Sequence, residues 1–245
     1  MPFHRVLRPA LVCALGFMAF GCQAKLPSTD TGTNRRTAGQ LRAVVVGEEL
    51  PLATKTDAGY DGLSFVFLEA IRDQLIHTDG EKIAIQTVPV TNVREALSLL
   101  EQGKADLACG MDFSWERQTR VDYTLPFATT GIRLLAPKGN DGTPNSLKGK
   151  TIGVVQDSVA ASVLANNLEA ATFQFFPSPA TALEALKDGT ISILGGDSLW
   201  LQASRKAAAP KDNLVPDQPY ARTAVACVVP DGHESLSHAS NIAIG

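Results

Sequence analysis

Histidine is scarce: beyond His4 in the N-terminal segment there are only His77, His233 and His238, and no Ser-His-Asp arrangement surrounds them. No P-loop, no dinucleotide fingerprint and no metal-spaced His or Cys cluster occurs. No cofactor or metal is therefore expected, and a catalytic reading would rest on carboxylates alone. Basic residues are not in excess: 22 Lys and Arg stand against 25 Asp and Glu, for a net charge of −3. With no basic stripe either, that balance argues against a nucleic-acid partner. After residue 22 no apolar run is long enough to span a bilayer, so the body reads as soluble.

What is present reads as an ordinary globular chain with an export segment. Of 245 residues, 44% are hydrophobic and 19% charged, with 20 Gly and 14 Pro. Residues 1–22 carry Arg5 and Arg8, then an apolar run too short for a membrane span, then Gly21-Cys22. This is the pattern of a secretory signal. Ala19-Phe20-Gly21-Cys22 resembles a bacterial lipobox, without the usual leucine three positions before the cysteine; lipidation at Cys22 or plain secretion follows. Residues 23–40, rich in Thr, Ser, Gly and Asn, read as a flexible tether. Cleavage before Cys22 would take the net charge to −5.

From Leu41 the apolar pattern alternates between strand and helix. Residues 41–46 are a β-branched strand, 65–76 an apolar-faced helix and 83–88 the next strand. Val93, Ala96, Leu97 and Leu100 fall at helical spacing, and 106–109 is a third strand. The second half repeats the scheme. Strands are expected at 151–155, 173–176 and 191–194, and helices from about 159 and over 181–187. Gly195-Gly196 is read as a break before Asp197 opens another helix, and 224–229 as a returning strand. Such alternation predicts an α/β fold with parallel sheets, whose ligands sit beyond the carboxyl ends of strands.

The stretch from Cys109 to Phe127 organises the rest. A strand runs into Gly110, a short helical turn carries Arg117, and an extended segment follows. A guanidinium so placed grips a carboxylate with two parallel hydrogen bonds. Gly103-Lys104-Ala105-Asp106, Glu116-Arg117 and Val121-Asp122-Tyr123-Thr124-Leu125-Pro126-Phe127 resemble the ligand-gripping segment of the family 3 periplasmic solute-binding proteins. These are the amino-acid receptors of ABC importers. Cys109-Gly110, Glu116-Arg117-Gln118 and Gly131-Ile132-Arg133-Leu134-Leu135 are most similar to the glutamate/aspartate-binding branch. The resemblance implies a two-lobed clamshell of the type II class, with lobe one at 41–130 and 222–245 and lobe two at 131–221. The crossings near 127–131 and 219–223 would form its hinge.

The same resemblance implies the site. Arg117 would hold a ligand carboxylate and Asp197 the α-amino group, although the bland readings are a solvated arginine and a helix cap. Gln156-Asp157-Ser158-Val159 matches a loop usually written Q-G-T-T; Ser158 keeps a hydroxyl, while Asp157 replaces glycine. Gly110 and Asp112 lie in the gripping turn, Asp112 where Ser or Thr is usual. Leu52 follows a proline where an aromatic commonly covers the ligand. Arg94 resembles an arginine that helps the acidic branch hold a side-chain carboxylate, or is a solvated helix residue. Cys109 and Cys227 match cysteines of that branch, and their pairing suits an oxidising compartment; the alternative is two buried thiols.

The ligand's side chain is read from charge. Glu48 and Glu49 occupy the loop after the first strand, and with Asp112 they favour a basic amino acid over an acidic or neutral one. The expected partners are an amino acid and the permease subunits of an ABC importer, with the membrane reached only through lipid, in a periplasmic or cell-surface monomer. A rival is a periplasmic enzyme similar to cyclohexadienyl dehydratases, using Asp112, Asp157 or Asp197. It needs a carboxylate with a raised pKa, whereas proximity to Arg117 or to helix starts is expected to lower these. A sensor lobe, the third reading, would need a membrane span and a signalling domain. Family members continue past the returning strand, so an open apolar face on lobe one is expected where this chain stops at Gly245.

Overall fold

The structure, a computed structural model, describes residues 39–47 and 49–245. The signal segment, the lipidation cysteine Cys22, the tether as far as residue 38, and Glu48 lie outside the described residues.

The first strand, β1 (Gln40–Val46), has Leu41, Ala43, Val44 and Val45 buried, as expected of a strand covered on both faces. A small hairpin, β2 (Thr54–Thr56) and β3 (Gly59–Asp61), leads into α1 (Leu63–Asp79). Then come β4 (Ala84–Val90), α2 (Val93–Glu101) and β5 (Leu107–Asp112). β4 and β5 flank β1 and both pair with it in parallel. Asp106, the acid of the Gly-Lys-x-Asp motif, accepts from the Arg42 backbone N–H and from its guanidinium, each at 2.7 Å. That half-buried pair fastens the start of β5 to β1.

After a 3-10 turn at Arg117–Thr119, the 16-residue β6 (Val121–Ala136) runs the length of both lobes. The second lobe holds α3 (Pro144–Leu147), β7 (Thr151–Val155), α4 (Val159–Asn167), β8 (Thr172–Phe176), α5 (Pro179–Lys187), β9 (Leu194–Asp197), α6 (Ser198–Ala208) and β10 (Asn213–Val215). The chain returns along β11 (Ala221–Pro230) and ends in α7 (Glu234–Ile244). One sheet results, ordered β4-β1-β5-β11-β6-β9-β7-β8, with β10 added to β6. The pairs at its two ends are parallel, and those joining β5, β11, β6 and β9 are antiparallel. β6 and β11 thus carry the chain between lobes, the two-crossing arrangement of a clamshell.

Each lobe packs helices on both faces of its sheet. Leu68, Ile71 and Leu75 of α1 meet Leu41 and Leu107 on one face of the first lobe, and Ala96, Leu97 and Leu100 of α2 meet Val44 and Met111 on the other. In the second lobe Leu164 of α4 packs on Ile152 and Val154, while Trp200 and Leu201 of α6 pack with Phe176 and Leu186. Of the large apolar residues described in the first lobe, Leu50, Val66, Trp115, Leu125 and Ile242 stay exposed.

One strand is displaced from its expected place. Residues 191–193 are not strand; β9 instead runs through Gly195-Gly196 and ends at Asp197. The glycines permit close packing and do not break the strand. A Cβ on Gly195 would stand 2.3 Å from the Leu164 side chain, and one on Gly196 would stand 2.6 Å from the Trp200 ring.

Candidate functional site

β5, β7 and β9 direct their carboxyl ends toward one cleft between the lobes, and short capped turns position what lines it. Asn92 caps α2, Ser158 caps α4 and Asp197 caps α6, each through a side-chain oxygen that accepts a first-turn N–H. Glu49, Gly110, Asp112 and Arg117 line the cleft from the first lobe, and Ser158 and Asp197 from the second. Six of the expected residues therefore come together.

Two expected residues lie elsewhere. Leu52 is buried and borders a separate small cavity with Ser64 and Cys109; its carbonyl accepts the Ser64 N–H at 3.0 Å, which ties it to the start of α1. Arg94 sits in an adjoining depression, where its guanidinium donates to the Asp157 carboxylate at 2.9 and 3.0 Å. Its side chain is largely exposed, as a solvated helix arginine would be, and does not line the cleft. Cys109 and Cys227 face each other in register on β5 and β11 and are joined as a disulfide. That bond lies one residue from Gly110, whose φ of +92° suits glycine and whose missing Cβ leaves room for Ser64 Oγ.

Arg117 is buried, with backbone carbonyls on both sides: Nη1 donates to Asp112 O at 3.3 Å and Nη2 to Asp157 O at 2.6 Å. A guanidinium has five N–H donors, so some remain for a ligand. Arg120, three residues on, pairs with Glu101 at 2.8 Å and does not line the cleft. Tyr123 holds the gripping turn by donating to Asp112 O at 2.9 Å.

The electrostatics reverse an expectation. Proximity to Arg117 and to helix starts does not lower the cleft carboxylates. Burial raises Glu49 from 4.5 to about 8, and the charges of Asp112 and Asp197 push it the same way. Asp112 is raised to about 7, first by burial and then by Asp197, with Arg117 opposing. Burial also raises Asp197, against the Thr130 hydroxyl and the helix-start amides. Desolvation plus like charge outweighs one guanidinium that is shared with two carbonyls. Among the described residues neither Glu49 nor Asp112 has a carboxylate hydrogen bond or ion pair.

Among the described residues Asp197 Oδ2 and Trp200 Nε1 are buried at the cleft with no hydrogen-bond partner. Trp200, which lines the cleft while its ring packs over Gly196, was missed by sequence reasoning. The available signal was a tryptophan on the first turn after Asp197. Chemically, three carboxyl groups beside one arginine can release protons to hold a positive charge, and the unused N–H donors of Arg117 can hold a carboxylate.

This fold is that of a two-lobed α/β clamshell with a cleft between its lobes. The chain belongs to the bacterial extracellular solute-binding proteins, family 3, whose family model matches residues 41–244. It is 28% identical over 154 residues to the L-cystine-binding protein TcyJ of Escherichia coli K12, covering 60% of this chain and 57% of that protein. It is 28% identical over 173 residues to the virulence sensor protein BvgS of Bordetella pertussis, covering 69% of this chain and 14% of the sensor. The chain therefore spans little more than half of one relative and a small part of the other. A solved ancestral arginine-binding protein bound to arginine superposes with a TM-score of 0.74 at 22% identity, over 85% of this chain and 92% of that one.

Proposed function

We propose that this protein captures an amino acid with a cationic side chain between lobes 41–130 with 222–245 and 131–221, and passes it to the permease of an ABC importer. The observation that carries the reading is the convergence of Glu49, Asp112 and Asp197 on one cleft with a single guanidinium. In this reading the spare donors of Arg117 take the α-carboxylate and Asp197 Oδ2 the α-ammonium. Glu49 and Asp112 take the distal cation, and Gly110 lines the cleft beside them. Ser158 acts by capping α4, because its hydroxyl already donates to Val155 O at 2.7 Å and accepts from Ala161 N–H at 3.1 Å. A distal carboxylate would meet repulsion and desolvation with no partner, which disfavours the acidic amino acids bound by the branch with the most similar motifs. The cystine-binding relative and the arginine-bound structure are in keeping with an amino-acid ligand. The receptor would act outside the cytoplasm as a monomer, tethered through Cys22.

Calorimetric titration with L-arginine, L-glutamate and L-cystine tests this. Arginine is expected to bind tightest. Glutamate binding tighter than arginine, with Glu49→Gln silent, would end the reading. A second reading, an enzyme similar to cyclohexadienyl dehydratases, gains from one observation: Glu49 and Asp112 are shifted to where they hold a proton near neutral pH, as a general acid must. Turnover of a prephenate-like acid, with no stabilisation by any amino acid, would favour it.

A further inference from the structure

Asp157 is the one non-glycine residue with positive φ among the described residues, at 59°. An L side chain is disfavoured there and persists where its surroundings hold it. Local structure supplies no reason for it. Ser158 already caps α4, and glycine would suit the backbone better. Every side-chain bond of Asp157 goes to the opposite lobe, where Arg94 Nη2 donates to both carboxylate oxygens at 3.0 and 2.9 Å. Its carbonyl accepts from Arg117 Nη2 at 2.6 Å, so two first-lobe arginines converge on one residue of the second.

We propose that Asp157 is a positioning residue that ties the lobes together across the cleft, setting the closed population and the orientation of Arg117. The proposal rests on the solute-receptor reading above and adds a determinant of how long the solute stays. Opening the clamshell breaks both arginine contacts at once, and closing restores them before any ligand contact is counted. The Arg94 side chain is 70% exposed and that of Asp157 39%, so the pair works in water and is weakened by salt. It biases closure without locking it. A ligand that binds only the closed form gains affinity as that population rises.

The test uses Asp157→Gly, Arg94→Gln and the double variant, with two readouts. Small-angle scattering of the ligand-free protein needs no ligand: each variant is expected to be more expanded than the parent, and the difference to vanish in high salt. Stopped-flow release of L-arginine should quicken about two- to fivefold in each single variant, the range of an exposed ion pair. The double variant should be no faster than a single one. Asp157→Gly should keep or raise thermal stability, since it relieves the positive φ, which a merely structural role would not allow. Unchanged scattering in Asp157→Gly overturns the proposal whatever the ligand. So does a double variant whose release quickens by the product of the single effects. If the parent does not bind L-arginine, the ligand reading fails alone and scattering still decides the tie.

Discussion

The two walls of the cleft hold their carboxylates for different reasons. On the second-lobe wall Asp197 ends β9 and starts α6, and its Oδ1 accepts the Leu199 N–H at 2.8 Å. Most helix starts gain from such a residue, so its presence says little about a ligand. On the first-lobe wall Glu49 and Asp112 cap nothing, and burial raises both. An acid kept where folding gains nothing from it, at a cost in desolvation, points to something that arrives later with a positive charge. The weight of the ligand reading therefore rests on the first lobe.

Substitution should separate the walls most sharply. Asp112→Asn is expected to weaken L-arginine binding by about 2–5 kcal/mol, the range for removing one partner of a buried charge pair. Its ligand-free stability should hold or rise. Asp197→Ala should lose binding and also about 1 kcal/mol of stability with its cap. Titration calorimetry beside urea denaturation reads both, and equal stability losses would erase the distinction between walls.

The disulfide belongs to the first wall as well. Cys109 and Cys227 are separated by 118 residues, and replacing both with serine should cost about 2–4 kcal/mol in the loop-entropy picture. Denaturant midpoints of the serine pair against the oxidised parent measure it; an unchanged midpoint would show that the sheet alone holds β5 to β11.

A pH series sharpens the contrast further. Glu49 and Asp112 titrate higher in the folded protein than their ordinary values of 4.5 and 3.8, so the native state binds more protons than the unfolded one. Stability of the ligand-free protein should therefore fall as pH rises from those values, until the penalty is complete near about 8. Both side chains keep some solvent exposure, so the fall should be a modest few kcal/mol at most. Glu49→Gln should flatten its upper part in scanning calorimetry. Over the same window L-arginine binding should release protons, visible as a dependence of the measured heat on the buffer. A profile that rises with pH would contradict the burial of both groups.

The smallest effect is expected on the second wall. Ser158→Ala removes the α4 cap and should cost about 1 kcal/mol of thermal stability, with little change in affinity. A large affinity loss would make Ser158 a direct ligand contact and bring the walls closer in kind.

Local pattern carried much of the architecture. The turn after β5, the long β6 and the cap at Asp197 were legible in the chain, while the pairing of Cys109 with Cys227 came only from the family resemblance. The first three are set by a few neighbouring residues or by a motif of fixed spacing. Gly195-Gly196 misled because a glycine pair looks the same whether it breaks a strand or lets a neighbour pack against it. Here Leu164 and the Trp200 ring decide, and both are remote from the strand's own pattern. Arg94 and Leu52 were assigned to the ligand by analogy of position. The Asp157 carboxylate pairs with Arg94, and a backbone bond ties Leu52 to the start of α1.

By itself the sequence determined the α/β class and the order of most elements, because apolar periodicity, glycine turns and caps act over a few residues, and the motifs between 103 and 127 carried the family resemblance. The sign of the cleft's titration was decided only in three dimensions. Glu49, Asp112 and Asp197 come from separate parts of the chain, and each has an ordinary pKa until folding buries it near the others. Arg117 would hold them down if it were theirs alone, but it is shared with the carbonyls of Asp112 and Asp157. Charge interaction depends on distance and on the water excluded, and neither exists before the lobes face each other.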